Sequence, residues 1–174
     1  ATNSGTSSIE IILRAIGIEE STVIVPSNTF MATATVVVHA GGKVIFTDCQ
    51  RENLQMDPED LKKKIRSDTK AVILVHIGGI ISPHLDEIKR ICDDNGLFLI
   101  EDAAHAHGAT IDGRKAGTLG IAGSFSFYPT KVLTTAEGGM ITTDNEDIYQ
   151  KSIILRDHGK ANPEFNIHSE FGYN

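Results

Sequence analysis

Short apolar runs rich in Val and Ile recur along this chain, and most are followed by a segment with helix-start signals. This alternation limits the fold more than any other feature. A strand that is apolar throughout needs cover on both faces, and a helix between successive strands returns the chain to lay the next one parallel. The expected fold is α/β, a mostly parallel sheet flanked by helices on both faces.

The elements read in order. Ser7–Ile16 places Ile9, Ile12, Leu13 and Ile16 on one helical face, with Ser7 and Glu10 as a capping box. Thr22–Val25 is a strand stopped by Pro26, 29–40 a buried helix and Val44–Thr47 a strand. Asp57-Pro58 opens a helix, Asp as N-cap and Pro at the first position, running to about Arg66. Strand Ala71–Ile77 leads to a helix opened by Ser82-Pro83 and ended near Asn95-Gly96. Leu97–Glu101 is a buried strand, and Asp112-Gly113 turns a hairpin within Ile111–Lys115. Ser124–Tyr128 and Met140–Thr143 are short strands, and Asp144 caps a helix to about Arg156.

Composition narrows the function classes. The chain has 174 residues and a formal net charge of −7. That length supports one domain with a real core. The acidic balance, without a basic block, argues against a nucleic-acid partner. No apolar run approaches a bilayer span, which argues against a membrane. Two cysteines, Cys49 and Cys92, make no disulfide framework, so a reducing, cytoplasmic setting is expected. The chain opens at Ala1 inside a motif and ends at Asn174 just after Gly-Tyr, so it reads as part of something longer.

Three constellations could carry chemistry. Ser4-Gly5-Thr6-Ser7 at a helix start offers free amides and hydroxyls to an anion such as phosphate, and also reads as an ordinary cap. Glu101-Asp102-Ala103-Ala104-His105-Ala106-His107-Gly108 follows a strand, where polar groups are costly unless partnered. It reads three ways: a metal site through Asp102, His105 and His107, although the spacing is not a zinc pattern; satisfied polar groups at a sheet edge; or a carboxylate for a protonated heterocycle, with alanines that let a flat ring approach. In Ser124–Lys131 alternation puts Ser124, Ser126 and Tyr128 on one face. Pro129 then ends the strand and leaves Lys131 on a loop, where partial desolvation would make its amine a nucleophile toward carbonyls.

A helix start suits a phosphate, a carboxylate a pyridinium nitrogen, and a lysine an aldehyde. Pyridoxal 5′-phosphate (PLP) carries all three groups. Phe30, after Pro26-Ser27-Asn28-Thr29, is a candidate ring to stack on the pyridine; on pattern alone it reads more readily as a core residue.

The ordered set Ser4-Gly5-Thr6, Val23–Phe30, Glu101–Ala109, Gly123–Lys131, Glu137–Met140, Arg156–Gly159 and Gly172–Asn174 resembles the DegT/DnrJ/EryC1/StrS family of PLP-dependent sugar aminotransferases. The resemblance implies the large domain of a fold-type-I PLP transferase over 1–174, without the family's N-terminal arm and C-terminal small domain. It implies that Lys131 is the residue that binds the cofactor covalently and moves the proton. Asp102 would pair with the pyridine nitrogen and His105 lie against the phenolic oxygen. Thr6, Ser7 and Ser126 would bind phosphate, Phe30 stack on the ring, and Asn174 reach the phosphate of a neighbouring subunit. No metal is implied.

The implied reaction moves an amino group from an amino acid, usually glutamate, to a nucleotide-linked keto-sugar, in a homodimer with shared sites. Dehydratase relatives typically carry histidine in place of the lysine, so Lys131 favours amino transfer. A non-catalytic domain of the same fold is the alternative from a different class. One stretch departs from the family: His76–Ser82 (HIGGIIS) lacks the Gly-Gln or Gly-Asn pair usual after that strand.

Overall fold

The computed structural model describes residues 1–162 and 164–174. Its helices are α1 (Gly5–Ile16), α2 (Met31–His39), α3 (Pro58–Lys64), α4 (Leu85–Asp94) and α5 (Glu146–Arg156). Its strands are β1 (Thr22–Pro26), β2 (Lys43–Thr47), β3 (Thr69–Val75), β4 (Phe98–Asp102), β5 (Thr110–Ile111), β6 (Arg114–Lys115), β7 (Ala122–Ser126), β8 (Gly139–Thr142), β9 (Lys160–Asn162) and β10 (Ile167–His168). The main sheet runs β2-β1-β3-β4-β7-β8. All its neighbours pair in parallel except β7 and β8. This is the expected α/β architecture.

Strand alternation builds a core on each face. Ala71, Ile73 and Val75 of β3 join Val23, Val25 and Ile100 under α1, α2 and α5, against Ile9, Ile12, Leu13, Val36, Val37 and Ile148. Val72 and Leu74 join Ile24 and Leu99 under α3 and α4, against Leu61, Leu85, Ile88 and Cys92. At about 25 cal/mol per Å² of apolar surface, these two layers are the dominant favourable term.

Local signals held where backbone chemistry is unambiguous. Asp57 caps α3 through a 2.9 Å bond from the Glu59 amide, with Pro58 in the first turn. Asp112 and Gly113 both take positive φ between β5 and β6, as a tight antiparallel hairpin requires. Several boundaries moved. The cap of α1 is Ser4, whose Oγ accepts from the Ser7 amide at 3.1 Å, so Ser7 lies inside the helix. The cap of α5 is Asn145 rather than Asp144. The cap of α4 is His84, and α3 stops at Lys64. The strand expected to reach Tyr128 ends at Ser126, and the one expected to reach Ile77 ends at Val75.

The carboxyl ends of β1, β3, β4 and β7 lie along one edge. From β1 the chain goes to β2 on one side and then to β3 on the other, so the strand order reverses there. A crevice at such a reversal is where open α/β sheets bind ligands. No helix among the described residues is long and apolar enough to cross a membrane.

Candidate active site

A cavity of about 570 Å³ opens at that edge. Thr6 of α1, Phe30 at the start of α2, Asp102 at the end of β4, His105 beyond it, Ser126 at the end of β7 and Lys131 all line it. A larger cavity of about 770 Å³ lies against β8 and α5, walled by groups such as Thr118, Ile121 and Arg156. Size does not separate the two; the meeting of a buried carboxylate, an imidazole and a lysine does.

Asp102 is 6% exposed. Its Oδ2 accepts from the Thr33 hydroxyl at 2.8 Å, and its Oδ1 from the Ala104 amide at 3.1 Å. Thr29 extends the chain, its Oγ1 lying 2.7 Å from that of Thr33. Thr33 was missed by sequence reasoning. It sits in the first turn of α2, in a stretch that reads as simply buried, and its contact with Asp102 spans 69 positions.

Glu101, the other acid of the motif, faces the opposite side of β4. It is fully buried and accepts from His76 Nε2 at 2.9 Å, from the Gly117 amide at 2.7 Å, from the Gly120 amide at 2.9 Å and from the Leu119 amide. Burial pushes its carboxyl up, but the bonds from His76, Gly120 and Gly117 outweigh that and leave it below the usual glutamate range. Two consecutive acids thus do different work: Glu101 ties β4 to the loop before β7, and Asp102 faces the cavity.

The start of α1 is seated on β7. The Ser124 hydroxyl donates to the Gly5 carbonyl at 3.1 Å. A Cβ on Gly5 would lie 2.8 Å from Cβ of Ser126, so only glycine lets the helix approach this closely. Thr2 and Gly139 exchange two backbone bonds of 2.9 Å, which fix the segment leading into the helix. The amides of Gly5 and Thr6 have no partner among the described residues, as expected in a first helical turn. They present partial positive charge beside Ser126.

Lys131 is half-buried in the loop joining β7 and β8, its amide donating to the Tyr128 carbonyl at 2.9 Å. None of the ion pairs among the described residues uses it. Phe30 is 75% exposed, so the core alternative for it is overturned. It occupies the N-cap of α2 with no capping bond, a position that Ser, Thr, Asp and Asn favour. An aromatic residue there runs against the local preference of that cap position.

His105 is exposed at the cavity wall, and Nδ1 accepts from the Gly78 amide at 3.3 Å. Burial and the Lys131 charge lower its pKa, against an opposing pull from Asp102. His107 packs between the rings of Phe125 and Phe127, at 5.4 and 5.3 Å. Among the described residues no three His, Cys, Asp or Glu side chains are grouped as metal ligands. Two expected site residues lie outside the cavity lining. Ser7 Oγ is 3.1 Å from Ser4 Oγ, and the Asn174 carbonyl accepts from Asn3 Nδ2 at 2.8 Å.

Comparison with known proteins bears on this geometry. The sequence model of the DegT/DnrJ/EryC1/StrS aminotransferase family matches residues 1–174. GDP-perosamine synthase of Vibrio cholerae is 36% identical over 99% of the chain and 47% of its own length. The spore coat polysaccharide biosynthesis protein SpsC of Bacillus subtilis is 40% identical over 99% of the chain and 44% of its own length. Among solved structures, an aminotransferase from Psychrobacter cryohalolentis superposes with a TM-score of 0.92 at 34% identity, covering 99% of this chain and 47% of that one. A Streptococcus pneumoniae protein described as a sugar aminotransferase, in its PLP form, gives 0.92 at 29% identity, covering 99% and 50%. The chain spans under half the length of the curated relatives it matches.

Proposed function

The chain belongs to the DegT/DnrJ/EryC1/StrS aminotransferase family, and from that footing we propose that residues 1–174 are the PLP-binding large domain of a sugar aminotransferase. The single observation that carries the reading is the meeting of Asp102, Lys131 and the start of α1 in one cavity. The residues present fit PLP: a buried carboxylate fixed by Thr33, a lysine free of ion pairs among the described residues, and unpaired amides at a helix start.

When bound, PLP supplies a conjugated ring that takes up negative charge from the carbon bearing the amine. The chain's own groups do the rest. Lys131 Nζ anchors the cofactor and then carries a proton between carbons. Asp102, oriented by Thr33 and the Ala104 amide, would accept from the pyridine N–H and so favour the cationic ring. His105 would lie against the phenolic oxygen. Thr6 and Ser126 would hold the phosphate with the amides of Gly5 and Thr6, and Ser7 would have to turn from Ser4 Oγ to join them. Phe30 covers one face of the ring and excludes water.

Asn174 would reach the phosphate site of a second copy, so a homodimer with shared sites is part of the reading. The donor is an amino acid, with glutamate first, and the acceptor a nucleotide-linked keto-sugar, as the names of relatives such as GDP-perosamine synthase suggest. The setting is cytoplasmic. The test is an assay of the gene product with glutamate and a panel of nucleotide keto-sugars. Amine transfer to one of them supports the reading. Ketosugar release without a donor would replace it with the dehydratase reading, which Lys131 disfavours.

A further inference from the structure

The turn after β3 lies directly on His105. It starts at His76, whose ring donates to buried Glu101 and whose amide donates to the Asp102 carbonyl at 3.0 Å. The Gly79 amide closes the turn on the His76 carbonyl at 3.0 Å. Gly79 has φ +81, and a Cβ there would sit 2.7 Å from the His105 carbonyl oxygen. With that contact, the preceding amide, Gly78 N–H, reaches His105 Nδ1 at 3.3 Å. Glu101 therefore anchors the turn, and the turn aims one N–H at one ring nitrogen.

An amide N–H can donate only to a ring nitrogen that carries no proton. We propose that the Gly78 amide fixes His105 as neutral imidazole with its single proton on Nε2, making His105 a one-way hydrogen-bond donor to an acceptor oxygen of the cavity's ligand. Which nitrogen of a histidine is protonated is set by the bond the other makes. The imidazolium is incompatible with the Gly78 bond. The charged groups around the ring, Lys131 and Asp102, pull in opposite directions, and burial sides with Lys131. Gly78 and Gly79 are thus positioning residues that act through His105.

The identity of the acceptor oxygen rests on the PLP reading; the tautomer does not. The test therefore begins without cofactor. Nitrogen-15 NMR of the histidine rings at mildly alkaline pH, with His105 assigned by comparison with His105→Gln, should show Nδ1 unprotonated and Nε2 protonated. An Nδ1–H tautomer, an averaged mixture or an imidazolium at that pH would overturn the proposal.

A second readout is the Gly78 amide proton. In His105→Ala, a change at an exposed position, that proton should move upfield and exchange several-fold faster, while amides elsewhere in the sheet stay unchanged. A Gly78 amide indifferent to loss of the ring would overturn the role given to the turn. Adding PLP then separates the two readings. A locked tautomer with no cofactor binding sinks the PLP site and leaves the lock; binding with a mobile tautomer does the reverse.

Discussion

The Thr33 hydroxyl donates to Oδ2 of Asp102 at 2.8 Å, from a helix on one face of the sheet to the carboxyl end of a central strand. Asp102 has one other protein donor in the described residues, the Ala104 amide. Half of what holds this carboxylate inside the protein therefore comes from a residue no motif marks. Thr33→Val keeps the shape and removes the donor. It should cost about 1.5–3 kcal/mol of stability, the range for a hydrogen bond to a charged group, read as a lower urea midpoint with an unchanged slope. Cofactor affinity should fall with it. A midpoint within error of wild type would mean that the bond does not hold Asp102 in solution.

Glu101 gives a prediction about pH. Its folded pKa lies below the unfolded value, so its contribution is present above the ordinary glutamate range and is lost as pH falls through the folded value. Glu101→Gln places an NH2 group among four donors and should destabilise by about 1–3 kcal/mol at neutral pH, the cost of leaving a buried polar group unsatisfied. The stability gap between wild type and Glu101→Gln should narrow on acidification. A gap that stays constant down to the acid transition would contradict the assignment of Glu101 as an ionised clamp.

Gly5 tests the seat of α1. Gly5→Ala would drive a methyl to 2.8 Å from Ser126 Cβ, so α1 must lift from β7. The amides of Gly5 and Thr6 would move relative to Ser126, and phosphate and PLP should bind about tenfold or more weakly, roughly 1.4 kcal/mol. Isothermal titration with PLP reads this directly. Unchanged affinity would mean that the start of α1 is not part of the phosphate site.

The two cysteines should differ sharply toward alkylation. Cys92 is fully buried on the inner face of α4, and burial pushes its thiol up to about 12. Cys49 is partly exposed. Iodoacetamide at pH 8 should label Cys49 in the native chain and reach Cys92 only on unfolding, since the thiolate is the reactive form. Native labelling of Cys92 at a similar rate would show that the α4 face opens readily.

Much of the fold was legible because it is written in local chemistry. Asp57-Pro58 and Asp112-Gly113 each allow few backbone solutions, and both were read to the residue. The caps at Ser4 and Asn145 were misread because neighbouring polar residues compete for the role and only the entry angle of the chain decides. The strand after Gly123 was extended too far because Ser-Phe-Ser-Phe-Tyr alternates past the point where pairing with β8 stops at Ser126. Within the site, Asp102, His105 and Lys131 stand out as titratable groups next to strand ends. Thr33 and His76 did not, because their roles depend on neighbours 69 and 25 positions away. Glu101 and Asp102 are neighbours in sequence, and the pleat of β4 sends them to opposite faces.

The central claim is that Lys131 is the attachment point for PLP in this cavity. The most direct measurement is to incubate the folded chain with PLP, reduce with borohydride, digest, and map the adduct by mass spectrometry. The account predicts one dominant adduct, on Lys131, abolished in Lys131→Ala and reduced in Asp102→Ala. Folded chain with adducts only on surface lysines and none on Lys131 would contradict it.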